Sequence, residues 1–297
     1  MRRLPTSTRR RPESAPPTYL TRPAIVLRSF PCELTNSTRR SERCSRTRPP
    51  PTAKSALAIG TDGLGVIAYY DATNGDLKVA HCSNTLCSSS SATTVDSSGD
   101  VGSETSIAIG ADGLPMISYW DATNADLKVA HCSNIDCTTA STTTIDSVGS
   151  VGAYTSLMIG SDGLALISNF DGSNADLKVA HCTNINCSSA TATTIDSDHN
   201  VGVYGAGTIG ADGLAVISYR YFDDTSIVNL RVAHCSNVSC TSATVATVDA
   251  TNLNQAQTSI AIGADGLPLV VYHEFADNDL RVAHCSNVFC VPFYRRR

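Results

Sequence analysis

Five times along the chain an aromatic or basic side chain meets a cluster of acid and amide residues: YYDATNGD, YWDATNAD, NFDGSNAD, YRYFDDTSIVN and YHEFADND. Two chemistries fit that composition. In one, Tyr70, Trp120 and Phe170 stack on a sugar face while Asp71, Asn74, Asp121, Asn124, Asp171 and Asn174 bind hydroxyls, with Asp223 and Asp277 standing in the last two copies. Repeated shallow sites of this kind suit multivalent binding, where avidity makes up for weak single contacts. In the other, Asp121, Asn124 and Asp126 offer oxygens to Ca²⁺, although the spacing is too short for an EF-hand loop. A third reading needs no ligand: Asp and Asn close hairpin turns through their own backbone, and the aromatics cover an edge.

The second chemistry-bearing set is cysteine. Ten of the 12 cysteines form five Cys-x4-Cys frames: Cys82/Cys87, Cys132/Cys137, Cys182/Cys187, Cys235/Cys240 and Cys285/Cys290. In each frame the first thiol ends a strand and the second is expected to begin the returning strand. Facing positions on an antiparallel hairpin lie within disulfide range, so a tight turn between the two thiols favours a bridge. Zinc competes, because a histidine precedes the first cysteine of every frame. Adjacent strand residues point to opposite faces, however, and two thiolates do not fill a tetrahedral site. The histidines share a face with residues such as Leu127 and Val129 and read as structural groups between neighbouring units. Cys32 and Cys44 fall outside the frames.

Hydrolysis of a glycan requires two carboxylates within several ångströms. Between residues 55 and 297 there are only two glutamates, Glu104 and Glu274, and the aspartates recur with the repeat as scaffold positions do. Catalytic groups break symmetry, because one site is built from unlike parts. The least symmetric stretch holds Arg220, Asp223, Asp224, His273 and Glu274, and activity, if present, belongs there. No Ser-His-Asp signature or phosphate-binding glycine motif accompanies it, so no catalytic residue is assigned.

These residues must be positioned by a repeat. Asp-Gly pairs at Asp62, Asp112, Asp162, Asp212 and Asp265 are spaced 50, 50, 50 and 53 apart. Each unit reads as four short strands, for example residues 105–110, 114–120, 126–132 and 141–146. Thr, Val and Ile dominate them, Asp-Gly marks a hairpin, and no segment shows a helical apolar period. The fold class predicted is all-β: a β-propeller of five repeats of about 50 residues, four strands each. The repeats span 55–104, 105–154, 155–203, 204–258 and 259–290. An open β-solenoid is the rival. The three-residue insertion in repeat four lies between Gly213 and His234 and calls for a loop. The last blade ends soon after its third strand and is expected to be incomplete, unless residues 24–29 complete it.

Charge divides the chain. Residues 1–54 carry 13 Arg and Lys against three acids, and residues 55–297 carry nine against 24, for a net −5. The Arg/Pro-rich leader cannot bury enough surface to offset its ordering entropy and is expected to be disordered. It contains no apolar stretch of signal-peptide length, and no run in the chain is long enough for a membrane helix. The acidic body argues against nucleic acid as a partner. Residues 291–297 form a basic tail.

The phrase GADGLPMISYWDATNADLKVAHC resembles repeats in large secreted or surface-attached bacterial propeller proteins, over residues 55–290. That resemblance implies an extracellular propeller. A fainter similarity to the sialidase Asp-box departs from its pattern, since Asp112 and Gly113 are adjacent and the aromatic falls later. The resulting expectation is an extracellular or cell-surface binding or adhesion protein that recognises carbohydrate or a protein partner without catalysis. No cofactor is expected beyond calcium, and no membrane insertion. The alternative is a glycan-active hydrolase of sialidase or glycosidase type.

Overall fold

The computed structural model describes residues 54–223, 228–250, 257–274, 279–291 and 293–296. The leader, the candidate strand 24–29, Cys32, Cys44, Asp224 and Asp277 lie outside these residues, as does the side chain of Glu274. The described residues form twenty strands in five four-stranded antiparallel sheets, each ordered as it is written in the chain. Blade 1 is β1 (Ser55–Ile59), β2 (Gly65–Asp71), β3 (Asp76–Cys82) and β4 (Ser90–Asp96). Blade 2 is β5 (Val101–Ile109), β6 (Pro115–Asp121), β7 (Asp126–Cys132) and β8 (Ala140–Asp146). Blade 3 is β9 (Ala153–Ile159), β10 (Ala165–Asp171), β11 (Asp176–Cys182) and β12 (Ala190–Asp196). Blade 4 is β13 (Asn200–Ile209), β14 (Ala215–Phe222), β15 (Val228–Cys235) and β16 (Ala243–Asp249). Blade 5 is β17 (Thr258–Ile262), β18 (Pro268–Glu274), β19 (Asp279–Cys285) and β20 (Phe293–Arg296). The architecture is a five-bladed β-propeller, and the insertion of repeat four falls between β14 and β15.

Three expectations change. The last blade does have a fourth strand: β20 pairs with β19 from Val282↔Arg296 to Cys285↔Phe293, so residues 293–296 are sheet rather than tail. The histidines come second, and the Asp-Gly turn accounts for them. Its glycine has positive φ, as at Gly113 (φ 82°), while Asp112 Oδ1 accepts the Leu114 amide at 3.1 Å. Its other oxygen holds the histidine that precedes the cysteine frame, with His131 Nε2 at 2.9 Å. The five histidines therefore close their own blade's hairpins rather than bridging neighbours, although His81 also reaches Asp136 of the next blade at 2.5 Å.

The third change concerns how the cysteines meet. All five frames are disulfides, with Cα–Cα distances of 4.5–4.9 Å, but the paired thiols do not face each other across a ladder. The strand partners of Cys82, Cys132, Cys182, Cys235 and Cys285 are Ser90, Ala140, Ala190, Ala243 and Phe293. The second cysteine of each frame comes before that strand begins. Cys87, Cys137, Cys187, Cys240 and Cys290 sit in the turn, in the left-handed region at φ 49°, 51°, 49°, 49° and 58°. Each donates its amide to the carbonyl of an asparagine three residues back, from Asn84 to Asn287, at 2.9–3.1 Å. This one left-handed residue curls the loop back on itself and brings the second sulfur onto the strand end. The bridge thus staples a turn to its own strand instead of joining two strands.

A single blade cannot cover both its faces, and the core is accordingly built between blades. Four hydrophobic clusters join blades 1 and 2, 2 and 3, 3 and 4, and 4 and 5. Leu77, Leu127, Leu177 and Leu230 occupy one repeat position and are fully or almost fully buried. The equivalent Leu280, on the last blade, is 73 % exposed. At the other end Leu57 and Ile59 of β1 are exposed, whereas Ile107 of β5 is buried. A polar latch reinforces the same interfaces. Asp96 at the end of β4 accepts Tyr119 Oη at 2.7 Å and Lys128 Nζ at 2.6 Å, both from blade 2. Asp146 with Lys178, Asp196 with Tyr219 and Arg231, and Asp249 with Tyr272 and Arg281 repeat it. In blade 1, Lys78 turns instead to Asp71 of its own blade at 2.6 Å.

Two stability measurements follow. Leu177→Ala should destabilise by about 2–5 kcal/mol by denaturant unfolding, because it leaves a cavity between blades. Leu280→Ala, at the same repeat position, should shift stability by less than about 0.5 kcal/mol. Equal losses would show that Leu280 is covered in solution. The Asp96 carboxyl is pushed up by burial but pulled down further by Lys128, Ser98 and Tyr119, from 3.8 to about 2. It is therefore more acidic folded than unfolded, so its stabilisation is present above pH 3.8 and is lost as pH falls to about 2. Asp96→Asn should remove about 2 kcal/mol at neutral pH and flatten the stability profile across that window.

Candidate functional site

The b–c turns, named for the second and third strands they join, place the acid and amide residues singled out above. Asp71, Asp121 and Asp171 end β2, β6 and β10 and face inward: Asp121 and Asp171 are each 2 % exposed. Their oxygens accept bonds from the turn itself. Asp121 takes the Asn124 amide at 3.0 Å and Asn124 Nδ2 at 2.9 Å. Asp171 takes the amides of Ser173 and Asn174 and Asn174 Nδ2 at 3.0 Å. Asp71 takes Thr73 N and Asn74 Nδ2, and the Lys78 ammonium beside it holds its carboxyl well below the usual carboxylate range. Each Asp–Asn pair thus shapes a turn. The turns brace adjacent blades, since Gly75, Ala125 and Ala175 give their carbonyls to Val101, Val151 and Val201. Asp223 follows directly on β14.

The aromatic half of the pattern leads elsewhere. Tyr70, Trp120, Phe170, Arg220 and His273 fill one repeat position, near the turn-side end of the second strand. Across the sheet from them run the starts of the innermost strands, with Ser103 opposite Trp120, Ala153 opposite Phe170 and Val203 opposite Arg220. There the strands are irregular. Gly152 has φ 94°, and a Cβ on it would lie 2.7 Å from Leu127 Cα, so only glycine lets blade 3 approach blade 2 this closely. Two residues beyond this glycine and its counterparts, Glu104, Tyr154 and Tyr204 sit at φ 54–56°, and the bulge turns them out of the ladder.

The turned-out side chains converge. Lys54 from blade 1 reaches Glu104 of blade 2 at 2.7 Å and lies 5.4 Å from the Tyr154 ring centroid of blade 3. Tyr154 packs on Tyr204 of blade 4 with centroids 4.8 Å apart, and on Phe170 at 6.1 Å. Burial, then the Tyr204 hydroxyl and the Glu104 charge, push the Tyr154 phenol up to about 12. Apart from this group, Gln257 and His273 line a cleft of about 260 Å³ with Thr258, Ser259, Val271, Tyr272 and Leu280, all of blade 5. Tyr70 is fixed differently, by donating its hydroxyl to Asp100 at 2.7 Å, and burial with that bond raises it to about 12.

Sequence reasoning picked out Tyr70, Trp120, Phe170, Arg220 and His273 but not the group of Lys54, Glu104, Tyr154 and Tyr204, on which Phe170 packs. The signal was present. Position by position the five repeats agree through most of their length, in particular through the D/N-L-K/R-V-A-H-C strand, while residues 54, 104, 154, 204 and 257 read Lys, Glu, Tyr, Tyr and Gln. Residues 70, 120, 170, 220 and 273 differ in every copy. Residues 86, 136, 186, 239 and 289, in the disulfide turns, also differ in every copy, but the divergent residues at the first two positions stand across the sheet from one another, at the start of the innermost strand and on its neighbour.

No family model matches this chain, and no curated protein matches it. Solved structures do, at the level of fold. An α-L-arabinanase from Penicillium chrysogenum, complexed with arabinobiose, is 11% identical with a TM-score of 0.56, over 79% of this chain and 78% of that one. A protein of unknown function from Dyadobacter fermentans is 11% identical with a TM-score of 0.55, over 74% and 71%. An endo-1,4-β-xylanase from Bacteroides thetaiotaomicron is 10% identical with a TM-score of 0.50, over 83% and 94%.

The turns themselves supply a test. Ala125 and Ala175 hold φ 61° and 62°, where blade 1 has Gly75 at φ 75°. Ala125→Gly and Ala175→Gly should each stabilise by about 0.5–1 kcal/mol in thermal unfolding, because the left-handed conformation strains every residue but glycine. A loss of stability would show that the alanine methyls make contacts worth more than the strain.

Proposed function

We propose that this protein is a secreted carbohydrate-recognising propeller whose ligand enters at the mouth formed by Lys54, Glu104, Tyr154 and Tyr204. Tyr70, Trp120, Phe170 and Arg220 form its rim. The observation that carries the reading is the convergence of unlike side chains from four blades, Lys54, Glu104, Tyr154 and Tyr204, on a repetitive scaffold. Tyrosine and tryptophan give broad apolar faces with a polar tip, which suits a sugar ring, and the charged pair beneath them offers hydroxyl partners. The arabinanase and the xylanase that share the fold are proteins of carbohydrate chemistry, in keeping with this assignment. Five disulfides fit an oxidising compartment, outside the cytosol.

The names of those two neighbours favour a second reading, hydrolysis. Glu104, 4 % exposed and ion-paired with Lys54, is the carboxylate at the mouth that would take the acid or base role. A partner carboxylate about 5–10 Å away is then required. Calorimetric titration of the full chain with arabino-, xylo- and galacto-oligosaccharides, alongside reducing-end release, separates the two. Tyr154→Ala should weaken binding about tenfold. Hydrolysis that disappears in Glu104→Gln while binding persists would establish the enzyme. Binding without release keeps the lectin-like reading, and absence of binding to every oligosaccharide overturns both.

A further inference from the structure

Arg220 is a half-buried charge with no ion pair among the described residues. It stands on β14, where the other blades carry Tyr70, Trp120, Phe170 and His273. Its guanidinium lies 5.4 Å from the Phe222 ring centroid, with Tyr154 and Tyr204 as the ionisable groups that act on it. Its Nε is buried without a hydrogen-bond partner, as is that of Arg231, so the ion pair is what separates the two. Arg231, eleven positions on along the same blade, shows the contrast. It bonds Asp196 at 3.1 Å and Asp198 at 2.7 Å and packs 3.7 Å from the Tyr221 ring centroid. A half-buried guanidinium with no carboxylate loses hydration, and a ring contact such as that of Phe222 returns only part of the loss, so a ligand anion would be strongly favoured there.

The surroundings define which anion. A guanidinium presents parallel N–H groups that match a planar carboxylate in a two-point contact. Beside it are aromatic rings rather than further cations, so the site does not gather a highly charged group. The body of the protein is itself acidic, with nine bases against 24 acids in residues 55–297, and it repels polyanions at long range. One negative charge attached to a ring that stacks on tyrosine meets these conditions.

We infer that Arg220 is a specificity-determining residue that binds the carboxylate of an acidic sugar, a uronic acid residue of a glycan, whose ring lies against Tyr154 and Tyr204. The inference rests on the carbohydrate reading above and narrows it to one substrate class. Lys54 does not compete for this carboxylate, because Glu104 already neutralises it at 2.7 Å.

The test compares tri-galacturonate with its methyl ester, which keeps the ring and removes the charge, by calorimetric titration of the full chain. Wild-type protein should bind the acid about tenfold or more tightly than the ester, as loss of a charge-assisted hydrogen-bond pair implies. Arg220→Gln should abolish that preference, and Arg220→Lys should restore part of it. Circular dichroism and the thermal midpoint of each variant report folding separately. The acid-to-ester ratio in wild-type protein needs no variant at all. Equal affinity for acid and ester, an unchanged preference in Arg220→Gln, or tighter binding of a sulfated than of a carboxylated sugar overturns the inference. If neutral oligosaccharides bind at the mouth while the acid gains nothing, the inference fails and the carbohydrate reading stands. If no oligosaccharide binds, both fail.

Discussion

The contact between one blade and the next is what the rest of this molecule depends on. A four-stranded meander of seven-residue strands has two apolar faces and no means to cover either alone. Each interface therefore combines a shared hydrophobic cluster with a carboxylate that crosses to a lysine or arginine of the following blade and, except at Asp146, to a tyrosine as well. The latch is economical because one Asp fixes position and angle together. Its hydrogen bonds satisfy a phenol and an ammonium that would otherwise be buried without partners. In the first described blade Lys78 turns to a carboxylate of its own blade. In the last described blade Leu280, the counterpart of a core leucine elsewhere, lies open.

This constraint explains why the sequence repeats so closely. Any residue that touches the next blade must suit the same neighbour each time, so the D/N-L-K/R-V-A-H-C strand and the Asp-Gly turn hardly vary. Residues at the mouth escape it. A side chain carried by the bulge at residue 104, 154 or 204 leaves the ladder and meets only other mouth residues or a ligand. It is free to differ, and there the chain writes Lys, Glu, Tyr, Tyr and Gln.

Much of the fold was legible for the same reason. Regular 50-residue spacing, period-two strands and paired cysteines specify four-stranded blades, and the third strand of the second copy is found at Asp126–Cys132, the residues expected. The misreadings have local causes. β5 begins at Val101, earlier than the apolar alternation announces, because Gly102 and Glu104 interrupt that alternation in the bulge. The pairing Cys132–Cys137 follows from its spacing, but the left-handed backbone at Cys137 does not, since cysteine carries no signal for that conformation. The acids of the b–c turn look like ligand groups from their composition alone. Only their geometry shows each Asp accepting bonds from its own turn, and Asn124 serving Asp121 rather than a guest. The fourth strand of blade 5 was hidden because Phe293–Arg296 lacks the Thr-rich composition of its counterparts.

Site and scaffold are therefore separated by a simple physical rule in this protein. Groups that complete one another inside the chain recur, as His131 with Asp112 or Asp96 with Lys128 do. Groups that recur nowhere and are left uncompensated point outward to a partner. Arg231 and Arg220 stand on adjacent strands of one blade and illustrate both cases. The first replaces a lysine of the latch and meets two carboxylates, so it belongs to the scaffold. The second replaces an aromatic residue of the rim and meets rings alone. Its desolvation is offset in part by the Phe222 ring and by no carboxylate among the described residues. A buried cation persists under those conditions when binding supplies the counter-charge, and the placement of that cation beside Tyr154 and Tyr204 joins charge recognition to ring stacking in one mouth.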